Sequence, residues 1–263
     1  MKKLILLTIV VALLLSLIGC AGEGIVQQPY PTSKLSGDEA KITPNTDTDI
    51  VKSEIEEVPK LDEPKIEENA MFSPLYSIEE VFSLSGYVVH GKIARTHEIV
   101  YKRTYGSGAT SSEYATILDV SVIKSYGNKA LEHKNNDVIQ VSYINCSYST
   151  YKGLAELKKG DECILFLCET SVVWDTATQD YFDYTPYIIL MPDAFVIEKV
   201  EDGFNANALM QLSTQGDYKA EGENRAVKIY SLNEIEEVIM ANIHKLRGLS
   251  FREFLIERAV SHS

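Results

Sequence analysis

From Ser77 to Val200 the chain reads as short stretches in which apolar and polar positions alternate, framed by helical spacing at both ends. Ser77-Ile-Glu-Glu80 places a hydroxyl three residues before a carboxylate, the pattern of a capping box, and predicts a short helix from Ile78 to about Leu84, stopped by Gly86. GYVVHGKIART and HEIVYKR predict one long strand in which Gly91 marks a bulge or bend. GSGATSS, Gly106 to Ser112, predicts a hairpin loop. In EYATILDVSVIKSY, residues Tyr114, Thr116, Leu118, Val120 and Val122 share one face, and Ala115, Ile117, Asp119 and Ser121 the other. VIQVSYINCSY predicts a further strand, LKKGDE (Leu157 to Glu162) a tight turn, and the unbroken apolar CILFLC a strand buried on both sides. TATQDYFDYTP reads as a polar hairpin, followed by strands YIILM and AFVIEKV split at Pro192-Asp193. Ser213 to Ala226 reads as a loop. Ser231-Leu-Asn-Glu234 is a second capping box, with Ile235, Val238, Ile239, Ile243 and Leu246 behind it on one helical face. Ser250-Phe-Arg-Glu253 is a third, ahead of Phe254, Leu255 and Ala259.

The N-terminus follows a different pattern. Lys2 and Lys3 precede an apolar run from Leu4 to Ile18. As a helix it would span about 22 Å, short of the roughly 30 Å hydrocarbon core, so it reads as an export signal rather than a membrane span. Residues 21 to about 70 carry twelve acids against five lysines, with recurrent proline and few large apolar residues. Such a segment buries too little surface to offset the entropy of ordering, and the expectation is a disordered acidic tether.

The formal net charge of -13 repels phosphate backbones and excludes nucleic acid as an expected partner. Of the four cysteines, Cys20 lies at the end of the export signal. Cys163 and Cys168 stand five residues apart in one strand, roughly 16 Å, too far for a disulfide. Cys146 is able to pair with either of them, or all three stay buried free thiols.

Leu17-Ile18-Gly19-Cys20 resembles the lipobox of bacterial lipoproteins. The resemblance implies cleavage before Cys20, a diacylglycerol on its thiol, and a protein held at the cell membrane facing outside the cytoplasm. In the middle region, Val88-Val89-His90-Gly91-Lys92-Ile93, the alternating strand Tyr114 to Lys124, and Leu157 to Leu167 are similar to a pattern in exported bacterial proteins with OB-like barrels, including the tissue-inhibitor-of-metalloproteinase group. That group's function centres on an N-terminal Cys packed on the barrel, whereas Cys20 here is expected to be a lipid anchor about fifty residues away, so its inhibitory residues do not carry over. The expected fold is therefore mainly β: an OB-like antiparallel barrel with a short N-terminal helix and two C-terminal helices. The expected organisation is a signal over 1–19, lipidated Cys20 and tether over 20–70, barrel over 71–212, and loop and helices over 213–263.

Candidate chemistry is sparse. The five histidines show no zinc-ligand spacing; His90 and His97, seven apart on extended chain, face opposite ways unless a bulge intervenes. No nucleophile elbow, phosphate loop or dinucleotide fingerprint occurs. No catalytic residue, metal or cofactor is expected. Binding is expected at loops 105–112, 146–153 and 174–186, through Tyr148, Tyr151, Trp174, Asp175, Asp180 and Asp183. The expected partners are the membrane, through lipid on Cys20, and an envelope protein or small ligand. A hydrolase with a dispersed site and a structural protein that oligomerises through its C-terminal helices are the competing readings.

Overall fold

Long alternating runs near the middle of the chain form the two strands that shape the molecule. The computed structural model describes residues 50–69, 77–127, 137–152, 154, 156–173, 179–190, 195–215 and 228–261. β3 (Tyr87–Tyr105) and β4 (Thr110–Tyr126) pair antiparallel along most of their length. Their register shifts between His90 and Gly91 and again between Ile93 and Arg95. The first shift falls where the sequence predicts it. A Cβ on Gly91 would lie 2.5 Å from Val120 Cγ1 and 3.0 Å from Ser121 O, so only glycine lets β4 approach there.

Eight strands form the main sheet, in the order β1-β3-β4-β5-β8-β7-β9-β10, where β1 is Ile50–Val58, β5 Val138–Tyr143, β7 Glu162–Glu169, β8 Tyr187–Ile188, β9 Val196–Val200 and β10 Gly203–Asn205. β3 also pairs with β7, so the hydrogen-bonded neighbours run β3-β4-β5-β8-β7 and return to β3. The sheet thereby curls into a partial barrel-like ring. β5 and β8 are parallel and the ring's other pairs antiparallel. β7 is central, as its apolar run predicts: β3 flanks it on one side and β8 and β9 on the other. β2 (Glu67–Asn69) and β6 (Thr150–Lys152) form a separate parallel pair.

From the two faces of the ring strands, Val88, Ile164 and Phe166 on one and Leu118, Val120 and Val141 on the other, side chains join one continuous core. α1 (Ile78–Leu84) closes one side of it; Ser77 caps the helix as expected, and Phe82 meets Phe166 edge-on at 5.3 Å. α5 (Leu232–Asn242), with the predicted capping box, adds Ile235 and Ile239. Burial of each such side chain contributes about 1.5–3 kcal/mol. The long hairpin extends beyond the ring, and its outer face has a second cluster of Ile99, Tyr101, Ile117 and Tyr181. Both faces of β4 are therefore buried around Ile117 and Leu118.

Several expectations are corrected. Residues 50–69 are not a free tether: β1 lies along β3, and β2 along β6. Their acidic composition hides partners on β3, where Arg95 pairs with Glu57 and Lys102 with Glu56. The predicted hairpin after β7 contains two short helices instead, α2 (Thr170–Val173) and α3 (Gln179–Tyr184). Tyr181 in α3 is buried against Tyr101, so an aromatic contact distant in sequence decides the local conformation. α4 (Asn207–Gln215) runs into the segment read as a loop from Ser213. In α6 (Phe251–Ser261) the hydroxyl cap forms at Ser250, but of the predicted apolar face only Phe254 is buried; Leu255 and Ala259 are exposed. The hairpin loop is tighter than predicted, since β4 begins at Thr110.

Candidate functional site

Where β3 and β4 leave the ring, the inner face of the sheet changes from apolar to polar. Val120 and Leu118 belong to the core, but the next residues on that face are Thr116 and, across from it, Glu98. A cavity of about 490 Å³ opens there. Five separate stretches line it: Val58 to Pro64, Thr96 to Glu98, Thr116, Tyr143 to Thr150, and Glu156 with Leu157. Tyr143 and Leu157 also belong to the main core, so the floor of the cavity is continuous with it.

Glu98 is the central polar group. It is 5% exposed. Its Oε1 accepts from Ser147 N at 2.8 Å and its Oε2 from Ser147 Oγ at 2.5 Å. Ser147 Oγ in turn accepts from Leu61 N at 2.8 Å. A hydroxyl within reach of a carboxylate is the geometry of a nucleophile and its base. Here the same oxygen is held from the other side by the Leu61 amide, and the arrangement links three segments.

Residues 59–66 form a strap beside this cluster. Lys65 N donates to Ser147 O at 3.0 Å, Thr150 N to Ile66 O at 3.0 Å, and Tyr148 Oη to Pro59 O at 3.1 Å. Lys60 Nζ meets Glu156 Oε1 at 3.0 Å between two exposed side chains. Tyr148 stacks on Tyr114, centroids 4.3 Å apart and rings nearly parallel. Cys146 lines the cavity as a buried free thiol, and burial raises its pKa. Cys163 and Cys168 are also free; burial in the core pushes each thiol up to about 12, which leaves them inert.

On the outer face of the same strands lies a second, more open cavity of about 560 Å³, bordered by Asp119, Asp137, Gln140, Asp183 and Tyr187. Among the described residues the buried Asp119 Oδ1 has no hydrogen-bond partner. His97 Nε2 meets Tyr184 Oη at 2.9 Å, and its buried Nδ1 has no partner among the described residues. His90 instead meets Glu162 Oε1 at 2.9 Å. Among the described residues no group of three His, Cys, Asp or Glu side chains is placed to hold a metal ion, and no helix is long and apolar enough to cross a membrane.

The predicted binding residues do not converge. Tyr148, in a turn, and Tyr151, in β6, belong to the segment whose Cys146, Ser147 and Thr150 line the inner cavity, while Asp183 borders the outer one. Trp174 and Asp175 lie outside the described residues, as does Cys20, and only the backbone of Asp180 is described. Glu98 and Ser147 escape the sequence reading. The available signal is a lone carboxylate at an inward-facing position of a strand, two residues before Val100 on the same face. Compared with family models, curated proteins and solved structures, the chain finds no match.

Proposed function

We propose that this chain is a lipid-anchored, extracytoplasmic binding module whose β-domain takes a small ligand in the cavity around Glu98. The cavity itself carries the reading: five stretches of the chain converge on one space, with an apolar floor and a few fixed polar groups. The ring β3-β4-β5-β8-β7 supports the OB-like interpretation of the fold, in which ligands meet one sheet face and its flanking loops. The anchor rests on Leu17-Ile18-Gly19-Cys20. Ahead of β1, residues 20–49 connect Cys20 to the β-domain.

Thr96→Phe places a ring in the cavity from a half-buried strand position. When small molecules extracted from cell envelopes are passed over purified protein, the original chain retains species that the filled variant does not. Identical retained sets, or none for either protein, reject the binding reading. The anchor is tested separately: Cys20→Ala loses incorporation of labelled fatty acid and leaves the membrane fraction, and unchanged labelling rejects it.

A further inference from the structure

We infer that the ligand of the inner cavity is a small organic cation, whose ammonium or guanidinium group is held by Glu98. This rests on the binding reading above and adds the chemistry of the ligand.

Glu98 is a buried carboxylate, and among the described residues no cation pairs with it. Lys60, the lysine among the described lining residues, is committed elsewhere, to Glu156 at 3.0 Å. A carboxylate taken out of water needs hydrogen bonds and a counter-charge. Ser147 supplies hydrogen bonds, one to each oxygen. Each oxygen has two acceptor positions, so about half of the capacity of the group is left for a donor in the cavity. An ammonium or guanidinium provides both that donor and the missing charge. The lining agrees in sign, with Asp62, Glu98 and Glu156 against Lys60. Thr116 and Thr150 donate their hydroxyl hydrogens to backbone carbonyls and so present oxygen lone pairs to further donors. An anionic ligand finds none of these features favourable.

The test uses the full chain, isotope-labelled, and three probes that share one ring and differ in charge: benzylammonium, benzyl alcohol and benzoate. The readout is the backbone amide signal of Ser147, which donates directly to Glu98. Benzylammonium is expected to shift it saturably and to bind at least tenfold more tightly than benzyl alcohol, while benzoate leaves it unmoved. Glu98→Gln removes the preference for the cation. Should that variant fail to fold, Lys60→Ala, at an exposed position, is expected to tighten benzylammonium binding several-fold by removing the repelling charge. Equal binding of benzylammonium and the alcohol, or unchanged benzylammonium affinity in Lys60→Ala, overturns the cation inference and leaves the binding reading intact. If no probe moves the Ser147 signal, both fall.

Discussion

Tyr126 shows how a single buried side chain ties an element to the sheet. Its ring is almost fully buried at the end of β4, and its hydroxyl donates to Glu236 of α5 at 2.6 Å. Lys124 Nζ reaches the same carboxylate oxygen at 2.7 Å. The Lys124 ammonium, then the Tyr126 hydroxyl, hold the Glu236 carboxyl below its ordinary value of 4.5. Burial and the nearby carboxylate raise the phenol, so Tyr126 keeps its proton and remains the donor. The sign follows from linkage. A carboxylate whose folded pKa is depressed contributes stability that is present above its unfolded value and is lost as pH falls through the folded one. Tyr126→Phe should therefore lower the unfolding free energy by about 1.5–2 kcal/mol at neutral pH, the scale of a hydrogen bond to a charged group. The difference should shrink below pH 4. Urea unfolding of both proteins at pH 7 and pH 3 checks this, and a pH-independent difference contradicts the clamp.

Among the elements, those fixed by local chemistry were legible in the sequence and those fixed at a distance were not. The helix starts at Ser77, Ser231 and Ser250 are written in four-residue patterns, and each serine hydroxyl accepts from the glutamate amide three residues on. Gly91 announced a bulge, and six apolar residues in a row announced a strand with neighbours on both sides. β1 illustrates the opposite case. IVKSEIEEV has four apolar positions, Ile50, Val51, Ile55 and Val58, that do not alternate, and four charged ones, the composition of a solvated segment. It becomes a strand because β3 offers it a free edge, with Arg95 and Lys102 placed against Glu57 and Glu56. α3 likewise depends on Tyr101 and Ile117 receiving Tyr181. The candidate site suffers most from this rule. Glu98 and Ser147 are 49 residues apart, and Leu61 is 86 from Ser147, so no window of sequence contains the cluster. Tyr148 and Tyr151 belong to the segment from which Cys146, Ser147 and Thr150 line the cavity. The polar group at the centre came from a strand.

At the scale of the whole molecule, the strap makes the region before the ring part of the folded domain. β1 adds a third strand to the protruding hairpin, and residues 59–66 continue from it across the loop that holds Ser147. If the chain is tethered through its N-terminus, β1 is the first described element after the tether, and any load passes through β1 to the strap beside the cavity. A chain beginning at Ile50 should therefore behave differently from one beginning at residue 70. The shorter chain loses the β1–β3 ladder, the Leu61 bond to Ser147 and the Tyr148 bond to Pro59. Several bonds at about 1 kcal/mol each predict a loss of roughly 2–4 kcal/mol in urea unfolding. Stability alone does not locate the damage, but the thiols do. Cys146 lies by the strap, whereas Cys163 and Cys168 lie in β7 within the core. Alkylation by iodoacetamide, read peptide by peptide, should speed up at Cys146 in the shorter chain and stay slow at the other two. Equal unfolding midpoints with unchanged Cys146 reactivity would show that the strap is not part of the domain, and the enclosed cavity would lose one of its walls.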